Sequence, residues 1–218
     1  MSYTAKTNKF AKILLNWFVK NKRDFPWRNE KDPYKILIAE KMLQKTKANN
    51  VVKVYVDFLH RYPTPTHLAK ANIKSIKKCI KPLGLQNQRS RELKKIATTL
   101  VKKYKGKIPN DEKSLSSIIG IGKYTRNAIL CFAFDENRPI VDVNVLRILQ
   151  RVFGIRSAGD IRNDEHMWKF AANLLPLGKS KEFNWALLDF ASQVCTSKRP
   201  KCSTCPMNFI CKYSKKLK

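Results

Sequence analysis

Apolar residues in this chain recur at intervals of three and four, and no long stretch alternates apolar with polar. The pattern predicts helices throughout and no sheet, an all-α fold. Phe10, Ile13, Leu14, Trp17 and Phe18 form one stripe on a helix that must stop near Pro26. In "KDPYKILIAEKMLQKT", Asp32 is the expected N-cap, Pro33 takes the first helical position, and the helix runs to about Leu43. A polar corner, Gln44-Lys45-Thr46, follows. Val51, Val54, Tyr55 and Phe58 mark a helix ending before Pro63, and two short helices capped by Thr66 and Asn72 stop at Gly84. A longer helix spans about 88–105, and Gly106 and Pro109 break it. Residues 111–118 form a short helix, Gly120-Ile121-Gly122 a tight corner, and 123–134 the helix that leaves it, giving a helix–hairpin–helix. Beyond a break at Asn137 and Pro139, helices are predicted from about Asn144, over "WKFAANLLP" and over "FNWALLDFASQVC". The closing "KYSKKLK" reads as a frayed basic tail.

Charge narrows the class of partner. The 218 residues carry 45 Lys+Arg against 16 Asp+Glu, a formal +29 spread along the whole chain. Lysine-rich usage explains part of that excess but not the scarcity of acidic residues. A polyanion is the natural partner, nucleic acid before a membrane surface. No stretch has the length of a membrane span, and Lys6, Lys9, Lys12 and Lys20 interrupt the first apolar stripe, unlike a signal peptide. An intracellular protein of cytoplasm or nucleoid is expected, without membrane association, with its six cysteines reduced or metal-bound.

Four of those cysteines form Cys195-x6-Cys202-x2-Cys205-x5-Cys211. Zinc usually draws its ligands from two Cys-x-x-Cys knuckles, and only one such pair occurs here. A [4Fe–4S] cluster needs four thiolates at tetrahedral corners and tolerates unequal spacing. The chemistry favours iron–sulfur, with zinc the alternative. Cys79 and Cys131 lie on apolar helix faces and read as core thiols.

At a hairpin such as 120–122, the first N–H groups of the following helix point outward and the helix dipole adds positive charge. A phosphate fits there, and Lys123 adds an ion pair; such binding contacts backbone and not bases. A plain helix–helix corner is the competing reading. Asp142 lies 20 residues beyond Gly122, where it serves either as N-cap of the next helix or as a carboxylate poised beside a bound nucleotide.

Hairpin, aspartate and cysteine loop together resemble the helix–hairpin–helix DNA glycosylase superfamily of the endonuclease III type, from "FPWR" at 25–28 to Cys211. The resemblance implies one [4Fe–4S] cluster on Cys195, Cys202, Cys205 and Cys211, and double-stranded DNA with a mispaired or damaged base as partner. It also implies a catalytic Asp142 and a DNA-backbone contact at Gly120, Gly122, Lys123 and Thr125. The family's hairpin usually reads Leu-Pro-Gly-Val-Gly; here it is Ile118-Ile119-Gly120-Ile121-Gly122, and the glycines are expected to carry its geometry. Strand-cleaving members have a lysine where this chain has Tyr124, and a phenol cannot form an imine. The tyrosine, with "DPY", "GLQNQR", "GKYT" and "VDVN", is similar to archaeal mismatch-specific thymine/uracil glycosylases.

The implied architecture is two helical lobes flanking a DNA cleft: a helical barrel, about 29–136, and a lobe joining 1–28 to 137–218. The implied enzyme is a monomeric, monofunctional glycosylase of base excision repair. The target nucleotide leaves the stack, most readily at a mispair. Asp142 stabilises the oxocarbenium ion and directs water, and Tyr124 packs near the sugar. Glu40 matches a glutamate that protonates the purine in the adenine-removing branch, though an exposed helix position is an equal reading. Gln44 is the candidate wedge, and Leu85 presses on the estranged guanine; an ordinary polar corner and a cap contact are their alternatives. Lys198 and Arg199, with Lys201, give the cysteine loop a basic face for DNA. Alternatives are an adenine glycosylase, which usually carries an additional C-terminal domain, a bifunctional glycosylase/lyase, and a non-catalytic DNA-binding protein with a redox-sensing cluster.

Overall fold

Helical periodicity becomes twelve α-helices, with no strand among the described residues, 3–157 and 159–216 of a computed structural model. In chain order they are α1 (Tyr3–Asn21), α2 (Pro33–Leu43), α3 (Ala48–Arg61), α4 (Pro65–Lys70), α5 (Ile73–Ile80) and α6 (Gln86–Tyr104). Then come α7 (Glu112–Ser116), α8 (Lys123–Phe134), α9 (Val143–Phe153), α10 (Glu165–Asn173), α11 (Ser180–Gln193) and α12 (Lys212–Lys215). No helix among the described residues is long and apolar enough to cross a membrane.

The chain divides into two units, Met1–Arg23 with Asp135–Lys218, and Asp24–Phe134. In the 24–134 unit α2 packs on α3 and α8, while α4 and α5 pack on α6. Tyr34, Ile36, Leu37, Ile38, Ala39 and Met42 bury almost every face of α2, at about 1.5–3 kcal/mol for each large side chain. Phe25 stacks on Trp27 at 4.9 Å and both join this core, so "FPWR" packs with the residues that follow it. In the other unit α1 lies on α11, which also carries α9. Phe10 meets Phe153 and Phe183 edge-on at 5.1 and 6.2 Å, and Trp17 meets Phe190 at 5.1 Å. The fully buried Asp189 carboxylate accepts from the Arg23 backbone N–H and from its guanidinium, which closes the end of this packing.

Several caps differ from the sequence reading. Thr64, not Thr66, caps α4: its Oγ1 accepts from the His67 N–H, because Pro65 fits the first helical position and the cap must precede it. Helix α6 starts at Gln86, immediately after Leu85 in the left-handed conformation. The "KYSKKLK" tail is not frayed through its first four residues, which form α12: Tyr213 lies under the Arg151 guanidinium at 4.8 Å, and Ser214 is buried. The last two residues of that tail fall outside the described ones.

Candidate active site

The hairpin between α7 and α8 is held from beneath. Leu115, Ile118 and Ile121 are buried with Ile96, Leu100 and Ile129, while Ile119 stands exposed at the tip. Gly120 is required twice over: its φ is +100°, and a Cβ there would come within 3.2 and 3.3 Å of the Ile96 side chain. Gly122 differs. A Cβ at that position would meet nothing within 4 Å. The expectation that both glycines carry the hairpin geometry is therefore corrected. Gly120 carries it, and Gly122 leaves bare backbone at the surface just ahead of α8, where an anion can come close. Lys123 and Tyr124 follow half-buried in the first turn of α8, and Thr125 is buried.

A polar network ties this hairpin to the corner after α2. Glu40 and Lys41 are only 4% and 3% exposed, so Glu40 is not the exposed helix position that the sequence allowed. Lys41 Nζ donates to Gln44 Oε1 (3.1 Å), Glu92 Oε2 (2.9 Å) and the Gly120 carbonyl (3.1 Å). Gln44 Nε2 donates to Thr125 Oγ1 at 3.3 Å. The buried Arg89 guanidinium donates to the Gln44 carbonyl (2.7 Å), Thr46 Oγ1 (3.1 Å), and the Gly84 and Leu83 carbonyls (2.8 and 3.3 Å). Arg89 thus fixes the Gln44 corner and the Gly84–Leu85 turn at one spacing. Leu85 is 51% exposed with φ +51°, so it makes no buried cap contact, and Lys45 beside Gln44 has φ +56°. Non-glycine residues in this region store strain of about 1–3 kcal/mol and cluster at functional sites.

Asp142 belongs to the other unit. Asn184 of α11 holds the segment leading to it, donating to the Arg138 carbonyl (2.9 Å) and accepting from the Ile140 N–H (3.1 Å). Asp142 does cap α9: Oδ1 accepts from the Asn144 and Val145 N–H groups at 2.9 and 2.8 Å. Capping does not exhaust it. Among the described residues Oδ2 accepts only from Asn144 Nδ2, at 2.7 Å, and a carboxylate oxygen has a second lone pair to offer. Behind it, Asn144 Oδ1 accepts from Arg147 (3.0 Å), and Arg147 donates to the Cys195 and Ala191 carbonyls (2.9 and 3.1 Å). A continuous run of hydrogen bonds therefore joins Asp142 to the backbone of the cysteine loop.

That loop brings its four thiols together. Cys195, Cys202, Cys205 and Cys211 line one cavity of about 20 Å³, walled by Val152, Phe190, Val194 and Met207. None is in a disulfide. Burial, then repulsion from the other thiols, pushes Cys205 up to about 11, and the same causes raise Cys202. Arg151 donates to Cys195 Sγ (3.4 Å) and to the Thr196 and Ser197 carbonyls (2.7 and 2.9 Å), and Cys211 Sγ donates to the Arg151 carbonyl (3.3 Å). Among the described residues no three or more His, Cys, Asp or Glu side chains gather tightly enough to hold a bare ion. An all-thiol set of four around one apolar-walled cavity fits an iron–sulfur group. Lys198 and Arg199 are exposed on the outer face of the loop. Cys131 is buried in α8 and Cys79 is half-buried against the core of the 24–134 unit.

Sequence reading missed Lys41, Arg89, Glu92 and Arg147. Two left a trace: Lys41 interrupts the apolar run "ILIAEKML", and Arg89 closes "GLQNQR". A separate groove of about 450 Å³ along α6, lined by Arg91, Lys94, Lys95, Lys102 and Lys103, holds none of the candidate residues.

Residues 195–211 match the iron–sulfur binding domain of endonuclease III. The chain is 40% identical to the thymine/uracil-DNA glycosylase of Pyrobaculum aerophilum over 95% of its length and 93% of that protein's. It is 37% identical to the thymine/uracil-DNA glycosylase of Methanothermobacter thermautotrophicus, covering 97% and 96%. The solved structure of a thermostable thymine-DNA glycosylase superposes with a TM-score of 0.92 at 37% identity, over 97% of this chain and 98% of that one. Residues 38–173 match the HhH-GPD superfamily of base excision DNA repair proteins, and the chain belongs to that superfamily as a DNA glycosylase with an iron–sulfur domain.

Proposed function

We propose that this glycosylase is monofunctional and releases thymine or uracil mispaired with guanine, acting as an intracellular monomer on duplex DNA. The observation that carries the reading is Tyr124. It stands in the first turn of α8, directly after the hairpin, where a strand-cleaving relative needs a lysine. The names of relatives that span more than nine-tenths of the chain support the same base choice.

Hydrolysis breaks the N-glycosidic bond, whose electron pair leaves with the base to be protonated there, and builds positive charge on the sugar. Asp142 offers the Oδ2 lone pair to that charge and to the attacking water, whose oxygen bonds to C1′ while its proton passes to the carboxylate. Glu40, buried in α2, serves the leaving base, and Tyr124 packs beside the sugar. The hairpin at Gly120 and Gly122, with Lys123 and Thr125, grips the phosphate backbone. Gln44 fills the vacated stack and Leu85 presses on the estranged guanine. Lys198 and Arg199 add charge toward DNA. Cys195, Cys202, Cys205 and Cys211 hold a [4Fe–4S] cluster, which supplies bonds that close the loop and no step of the hydrolysis.

The test is product analysis on G·T and G·U duplexes. Free base should appear with the abasic strand intact, breaking only after alkali, and borohydride should trap no protein–DNA adduct. Efficient trapping on a duplex that already contains an abasic site would identify a lysine nucleophile and end the monofunctional reading.

A further inference from the structure

Lys41 is a buried ammonium inside the most apolar stretch of α2, and its three protons go to Glu92, Gln44 and Gly120. Stability does not explain it. Replacing both partners of a buried ion pair by apolar residues of similar volume is often neutral or better, and a methionine would continue the run "ILIAEKML". What Lys41 holds is more telling. It draws the Gly120 carbonyl inward while the Ile121 N–H donates to the Ile118 carbonyl at 3.0 Å, so the plane of that hairpin peptide is fixed from both sides. The Gln44 amide is fixed in sense as well. An ammonium only donates, so Oε1 must face Lys41, and Nε2 then reaches Thr125 Oγ1.

We infer that Lys41 is a positioning residue that locks the Gln44 side chain to the Gly120 hairpin, so that gripping the DNA backbone and filling the vacated stack happen at one fixed spacing. The inference rests on the reading of this chain as a base-extruding glycosylase with Gln44 as its wedge. Lys41 touches no substrate. It acts through Gln44 and Gly120, and Glu92 neutralises its charge without joining either task.

The test uses the full, cluster-loaded protein and a G·U duplex with 2-aminopurine beside the uracil, whose fluorescence rises when the neighbouring base leaves the stack. Lys41→Met should lower the unfolding midpoint modestly, because Glu92 and the Gly120 carbonyl lose their donor, and leave the affinity for fully paired duplex within about twofold. The fluorescence amplitude and the single-turnover release of uracil should each fall about tenfold, the size of coupling expected of residues in one network. In a Gln44→Ala background the same substitution should cost under about threefold, because the link is already cut. Wild-type amplitude and rate in Lys41→Met would overturn the inference, and so would an equal cost in both backgrounds. Should Lys41→Met fail to fold, Lys41→Gln, neutral but still polar, is judged by the same signals against the same limits. A wild-type protein that unstacks the base and releases none would refute the glycosylase reading alone, since the fluorescence arm needs no bond cleavage.

Discussion

Asp142 is held from behind by a helix start and by Asn144, itself held by Arg147, which also donates to the carbonyl of Cys195. The Gln44 corner and the hairpin are held by Lys41 and Arg89, cations buried among α2, α6 and the loops they fix. Both arrangements spend positive charge on backbone carbonyls, but their dependence differs. The first ends on a loop whose four thiols line one cavity and which matches an iron–sulfur binding domain. The second is complete within the polypeptide. Chemistry at Asp142 should therefore depend on iron, and the wedge and backbone grip should not.

The largest effect expected isolates the chemistry on the Asp142 side. Asp142→Asn keeps the N-cap, because asparagine caps as well as aspartate, and removes only the charge. Base release should fall by about 10²–10³-fold while mispair binding stays close to wild type. Measured single-turnover rates near wild type would reduce Asp142 to a helix cap.

The contrast also explains what could be read from sequence. Helices, hairpin and cysteine loop were legible because their signals are local: Asp32 before Pro33, Gly120 two residues before Gly122, four cysteines within 195–211. The residues that hold the site were not, since their partners are remote. Lys41 reaches Glu92 and Gly120 across 51 and 79 residues, and Arg147 reaches Cys195 across 48. A donor aimed at a distant carbonyl leaves no spacing to find. The cap of α4 is a local matter of the opposite kind: Thr64 and Thr66 flank Pro65, and the proline's fit at the first helical position makes Thr64 the cap.

A middle-sized effect tests the dependence on iron. Arg147→Met removes the donors to Asn144, Cys195 and Ala191 together. Losing hydrogen bonds from a charged, half-buried donor costs about 1.5–3 kcal/mol, so kcat should drop roughly tenfold or more with mispair affinity unchanged. Protein stripped of iron by a chelator should show the same split, a loss in rate larger than any loss in binding. The two treatments should not add, because both act on the support behind Asp142. Fully additive losses would mean that Arg147 and the cysteine loop reach the chemistry by separate routes, and the contrast between the two corners would fail.

The smallest effect lies in the acid stability of the other corner. Burial alone would raise the Glu92 carboxyl, but the bonds from Lys41 and Gln88 and the nearby Arg89 charge outweigh it and hold the group below its ordinary value near 4.5. A carboxyl depressed on folding contributes stability that is present above its unfolded value and is lost as pH falls through the lower, folded one. Glu92→Gln keeps the shape and removes the titration. The variant should thus be less stable than wild type at pH 7, and the gap should close as pH falls through the lowered, folded-state value. Glu92 is 32% exposed, so solvent screening limits the gap to under about 1 kcal/mol, or about 2–4 °C in unfolding midpoint for a chain of this length. Thermal melts at several pH values would measure it, and a gap of constant size from pH 7 to pH 3 would show that Glu92 does not titrate in this way. The same gap should appear in iron-stripped protein, because every group that sets it belongs to the 24–134 unit.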